Sequence, residues 1–144
     1  MSAEEVAQPV LRERQSRDRG WYEEMAACFT EDSVVKMSRF SGSGAGFVRA
    51  TRDMADRGDL AVHHPGPPTV GIDQDRAPME LPLVIERRID VDGVEADIAS
   101  ACRSQYRAQH GADGVWRIVR ITMTWLHESR TPATTAGGRE DRFV

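Results

Sequence analysis

Two adjacent histidines, His63 and His64, close the apolar run "LAVHH". Imidazole has an unperturbed pKa near neutral, so such a residue can take up or give back a proton at physiological pH. Neighbours in a strand point to opposite faces, so only one of the pair can face a given cavity. The same divergence argues against a paired His-His metal site, and no His, Asp or Glu follows at i+2 or i+4. Glu80 stands between Met79 and Leu81 in a mostly apolar run. Facing inward, it would have a raised pKa and could carry a proton; facing outward, it is an ordinary residue of a half-exposed sheet. Tyr106 could donate a hydrogen bond to a carbonyl or enolate oxygen, or simply be a buried tyrosine with a backbone partner. Tyr22, Arg103 and His127 are further polar groups able to assist. Trp21, Met25, Phe29, Phe47 and Met54 can serve as pocket walls or as core.

"GSGAGF" follows a strand and opens a helix, as a dinucleotide-binding loop does. The third glycine would fall at Phe47, and no Lys-Ser/Thr pair follows. The segment reads as a loop and helix start. No metal and no cofactor are expected.

The elements that position these residues come in a definite order. Ser2 and Glu5 fit a capping box, and Ala3, Val6, Ala7, Val10 and Leu11 recur at helical spacing. Pro9 interrupts that pattern, so the main helix could start near it. Gly20 is a natural stop. Trp21, Met25, Cys28 and Phe29 share one face of a second helix, and "TEDS" reads as a turn into the strand "VVKMS". A third helix follows "GSGAGF". Then come strands: "LAVHH", "TVGI" and two long runs joined by Asp92-Gly93, a strong hairpin signal. Asp113-Gly114 leads into the last strand. Helices first and strands afterwards give an α+β class. Such long strands should twist, with a bulge near Pro82 or Gly93.

The chain has 144 residues, a net charge of -4 and two cysteines. That predicts one domain, residues 1–128, with a flexible polar tail over 129–144. The mild acidity argues against a nucleic-acid partner. Two cysteines do not make a disulfide scaffold, no run is long enough to span a bilayer, and the first residues lack a signal layout. A cytoplasmic protein is expected.

Three segments carry a resemblance. "RDRGWYEEMAACFTEDSVV", "HHPGPPTVGIDQDRA" and "DGVWRIVRITMTWLHESRTP" together resemble the SnoaL-like branch of the nuclear transport factor 2-like (NTF2-like) superfamily, with its polyketide cyclases and scytalone dehydratase-type and bile-acid dehydratase-type enzymes. The resemblance implies N-terminal helices packed on a strongly curved antiparallel sheet, a cone-shaped α+β barrel enclosing a pocket. It implies a homodimer through the outer sheet face. It places His63, not His64, in the pocket as general base or acid. The Tyr-Asp pair of the dehydratase type aligns with Ser16 and Arg17, and the strand Asp of the ketosteroid isomerase type with Met37, so both are missing. The resulting expectation is a cofactor-independent dehydratase, isomerase or cyclase acting on a small apolar cyclic, steroid-like or polyketide-like substrate. His63, Tyr106 and Glu80 would be catalytic, and Trp21, Tyr22, Met25, Phe29, Phe47, Met54 and Arg103 would line the substrate site. The alternative is a ligand-binding or scaffolding protein with the same cavity and no chemistry.

Overall fold

A computed structural model describes residues 1 to 133. Helix α1 spans Ala3–Arg19. The Ser2 hydroxyl accepts the Glu5 N–H at 3.2 Å, and the Glu5 carboxylate accepts the Ser2 N–H at 3.4 Å, which is the reciprocal capping box. The helix runs through Pro9 instead of starting near it. Proline costs one backbone bond there, but Val6, Ala7 and Val10 around it are buried, and that burial holds the turn. Gly20 ends the helix at a φ of 74°.

Helix α2, Tyr22–Ala27, is shorter than the sequence pattern predicts. Phe29 already belongs to strand β1, Phe29–Lys36, so "TED" is strand and not turn. A register shift between Phe29 and Val34 absorbs the polar residues in the middle of β1. Strand β2, Ser41–Ser43, leads into helix α3, Gly44–Asp56, whose cap is the Ser43 hydroxyl accepting the Gly46 N–H at 3.0 Å. The remaining strands are β3 (Ala61–Pro65), β4 (Thr69–Val70), β5 (Arg76–Val91), β6 (Val94–His110) and β7 (Trp116–Pro132). Asp92 and Gly93 both take positive φ, 52° and 84°, as a two-residue hairpin turn requires.

The sheet has seven strands in the order β2-β1-β7-β6-β5-β3, with β4 also on β5. It is mixed, not wholly antiparallel: β1 and β7 run parallel. These two strands lie far apart in the chain, so no hairpin forces them to oppose. The strands do not close on themselves. The helices complete the cone over one face, where Val10, Met25 and Phe47 meet Leu81, Leu83, Cys102 and Ile121.

The β5–β6 register is unbroken from Arg76 to the turn. The expected bulge near Pro82 or Gly93 is absent there. The irregularities lie between β6 and β7, at Ala101/Cys102 and Arg107/Ala108. The carbonyls of Pro82 and Pro78 accept bonds from Gly66 and Gly71, so both proline nitrogens face the short β3 and β4 segments. Their missing N–H groups fall at strand ends, where no ladder bond is lost. Strand β7 pairs as far as Pro132, opposite Ala96, so ordered sheet continues past the predicted boundary at 128. Residues 134–144 of the predicted tail lie outside the described residues.

Gly44 sits where a Cβ would lie 2.3 Å from the Ser33 hydroxyl and 2.8 Å from the Phe29 ring. Helix propensity favours alanine over glycine by about 1 kcal/mol. Overpacking costs about 1–3 kcal/mol, and it also strains the bond from the Gly44 N–H to Ser33. Gly44→Ala is therefore expected to lower stability by about 1–2 kcal/mol, read as a reduced urea midpoint at unchanged slope.

Candidate active site

The last turn of α1 and strand β3 meet at one carboxylate. Asp18 Oδ2 accepts the backbone N–H of His63 at 2.8 Å, and Oδ1 lies 2.5 Å from His63 Nδ1. A carboxylate can only accept, so Nδ1 carries the hydrogen and Nε2 is left with its lone pair. Nε2 is buried without a hydrogen-bond partner. The ring is 1 % exposed and lines a cavity of about 120 Å³ between α1, α3 and the sheet. Burial, helped by the nearby Arg17 and Arg14 cations, lowers the His63 pKa to about 4 against the opposing pull of Asp18. The imidazole is therefore neutral at physiological pH and available as a base.

Arg17, one residue before Asp18, lines the same cavity. Its guanidinium lies 4.7 Å above the Phe47 ring. Burial, then the neighbouring Arg14 charge, lowers its pKa to about 10, so it remains a cation at neutral pH. Phe47, Met54, Ile85 and Met123 supply apolar wall, and Ser100 a hydroxyl. A buried neutral base beside a fixed cation, in an apolar chamber, can remove a proton and stabilise the negative charge that results.

The sequence-predicted residues are distributed unevenly around this point. His63, Phe47 and Met54 share the cavity. Met25 and Phe29 are buried in the core. Trp21 is half-buried at the start of α2, and Tyr22 lies beneath Arg52, 5.8 Å from its guanidinium; neither lines the cavity. Glu80 is exposed and accepts a bond from Gln105 Nε2 at 2.8 Å. Its odd-numbered neighbours Met79 and Leu81 take the inner face, and alternation puts Glu80 and Arg103 outside. His64 also points outward, 3.1 Å from Glu86.

Tyr106 is on the inner face but six residues along β6 from Ser100, about 20 Å at the usual rise. Its hydroxyl accepts the Arg14 Nε–H at 2.6 Å, and burial raises its pKa to about 12. It belongs to a buried cluster with Arg14 and Glu13, whose charges act on Arg17 and, from Arg14, on His63. Asp18 is the residue that sequence reasoning missed. Alignment on Trp21 put the acidic partner at Ser16 and Arg17, and it stands one position further on. One signal was present: a carboxylate in the last helical turn opposes the helix dipole, which marks Asp18 as placed for something other than helix stability. Met37 lines the cavity wall without an acid. Among the described residues, no group of three or more His, Cys, Asp or Glu is placed to hold a metal, and no helix is long and apolar enough to cross a membrane.

Fold and site together define an open-ended α+β cone with a buried histidine-carboxylate pair at its pocket. The chain belongs to the SnoaL-like domain family, whose model matches residues 2–122. Solved structures agree in fold. A hexachlorocyclohexane dehydrochlorinase from Novosphingobium barchaimii superposes with a TM-score of 0.80 at 10% identity, covering 94% of each chain. A candidate scytalone dehydratase from Novosphingobium aromaticivorans gives 0.70 at 16% identity, covering 96% of this chain and 94% of the other. An NTF2-like protein with a cystatin-like fold from the same organism gives 0.63 at 25% identity, covering 85% and 80%. No curated protein sequence matches the chain. Relatives of this fold thus include dehydratase- and dehydrochlorinase-type proteins.

Histidine NMR should show His63 unprotonated down to about pH 4. The unfolded residue takes up its proton near 6.5. As pH falls from 6.5 toward 4, the unfolded state gains protons that folded His63 refuses, and stability should decline across that window. His63→Gln should flatten this part of the stability profile. For the second cluster, Tyr106→Phe leaves the buried Arg14 Nε–H without its acceptor. It should cost about 1–3 kcal/mol in chemical denaturation and leave the His63 titration in place.

Proposed function

We propose that the protein is a cofactor-independent acid-base enzyme. It removes a proton from carbon next to a carbonyl or similar electron-withdrawing group of a small, largely apolar cyclic substrate. The observation that carries this reading is the buried, unpartnered Nε2 of His63, set as a lone-pair nitrogen by the bond from Nδ1 to Asp18. Nε2 takes the proton, and the Asp18 carboxylate offsets the charge of the imidazolium that forms. The Arg17 cation faces the oxygen on which negative charge develops. The imidazolium then returns the proton. Delivery to a departing hydroxyl makes the reaction a dehydration, and delivery to another carbon makes it an isomerisation; where the carbanion instead attacks a second carbonyl of the substrate, delivery to the resulting alkoxide completes an aldol-type cyclisation. The oxygen-stabilising role passes from Tyr106 and Glu80 to Arg17, because Arg17 lines the cavity with His63 and neither Tyr106 nor Glu80 does.

The family and the dehydratase-type structural relatives support a small-molecule enzyme of this kind. The test is deuterium wash-in from D2O at the α-carbon of a cyclic ketone such as 2-indanone, followed by NMR. The wild type should accelerate exchange over buffer. His63→Ala should lose about 10²–10⁴-fold of that acceleration, and His64→Ala should stay within about twofold, since exposed substitutions remote from the cavity change little. Because His63 titrates at about 4, the exchange rate should hold constant from pH 8 to 5 and fall only below. No acceleration by the wild type, or equal rates in wild type and His63→Ala, leaves the binding-protein reading in place of this one.

A further inference from the structure

The cavity has an unusual charge balance for this protein. The chain carries a net -4, yet among the described residues the cavity is lined by no Asp or Glu and by three arginines: Arg17 from α1, Arg39 from the turn between β1 and β2, and Arg87 from β5; Asp18 and Asp59 line a smaller recess behind Arg17 and His63. Arg87 is partly compensated, 3.8 Å from Asp59. Among the described residues neither Arg17 nor Arg39 makes an ion pair with a carboxylate, though the Glu13 and Asp18 charges act on Arg17 from nearby. The nearest acid to Arg17 in sequence, Asp18, has both oxygens engaged by His63. The positions also differ in depth. Arg17 is largely covered beside His63, while Arg39 is exposed at the rim. Between them the wall is apolar, with Phe40, Ile85, Met123 and Trp125.

Cations that line a largely apolar chamber attract a negative group entering it, because the low-dielectric wall strengthens the attraction. A guanidinium also matches a carboxylate in planar, two-pronged fashion, and such charge-assisted bonds are the strong ones. We infer that the substrate is an anion: a small ring bearing a carboxylate or equivalent oxyanion, held at the rim by Arg39 with Arg87 beside it. Arg17, deeper in, stays with the reacting oxygen. This rests on the reading of the cavity as the substrate site and adds the charge of the molecule it takes. It also assigns Arg39 as a specificity residue, although no motif around it singles it out.

The test is calorimetric and needs no turnover, so it can fail or succeed independently of the exchange assay. Benzoate, its neutral isostere benzamide, and acetate are titrated into the full-length protein. Benzoate should bind about tenfold or more tightly than benzamide, and similarly more tightly than acetate, which has the charge without the ring. Arg39→Gln should bring the benzoate to benzamide ratio close to one while the His63 NMR titration stays unchanged, showing an intact fold. His63→Ala should keep the benzoate preference. Equal affinity for benzoate and benzamide, or no binding of either at millimolar concentration, overturns the inference. Acetate binding as tightly as benzoate also overturns it, because the arginines would then hold any small anion and not a ring-bearing substrate carboxylate. A benzoate preference that survives in Arg39→Gln removes Arg39 from the role.

Discussion

The two hydrogen bonds from His63 to Asp18 are the constraint around which the site is arranged. They tie the end of α1 to an edge strand across 45 residues of chain. They fix the imidazole tautomer, and they allow the ring to be buried without leaving both nitrogens unsatisfied. They also compensate Asp18 for its place at the wrong end of the helix dipole. A carboxylate there would find cations and water in an isolated helix; in the folded chain it finds two N–H donors on β3. The clamp leaves one ring nitrogen unpaired on purpose of geometry: Asp18 holds one side, and the cavity lies on the other.

Helix α1 does two jobs in succession along one face. Its first half presents Val6, Ala7 and Val10 to the core. Its second half presents Glu13, Arg14, Arg17 and Asp18. Burying so many charges is expensive, and the structure offsets the expense locally. Arg14 is 3.2 Å from Glu13 and bonds to Tyr106, while Asp18 is taken by His63. Arg17 rests on the face of Phe47 and lines the cavity, with the Glu13 and Asp18 charges acting on it from nearby. The Arg14 and Arg17 cations in turn help keep His63 neutral. The electrostatics of His63 are thus set by the helix that also anchors the fold.

The sheet supplies the other half of the site by alternation. His63, Ile85 and Ser100 are register partners on three adjacent strands. They meet at the cavity wall. The same rule carries His64, Glu80 and Arg103 to the opposite face. Tyr106 obeys the rule and faces inward, but it lies six residues along β6 from Ser100 and does not line the cavity of His63. It stabilises Arg14 instead.

Local rules were legible in the sequence. The capping box at Ser2, the Asp92-Gly93 turn, the start of α3 at "GSGAGF" and the divergence of His63 from His64 follow from backbone geometry within a few residues. The α+β order of elements follows from periodicity. What the tertiary structure alone decided is which distant residues meet. Asp18 reaches His63 because of how α1 docks across the sheet, and no local pattern encodes a docking angle. Glu80 lies outside because the β3–β5–β6 register fixes which parity faces in, and a strand read alone leaves its two faces interchangeable. Beta1 pairs parallel to β7 because no short turn joins them. Arg39 joins Arg17 in one cavity because the β1–β2 turn folds over the rim. In each case the sequence set the side chain and its local direction, while long-range packing set its partner.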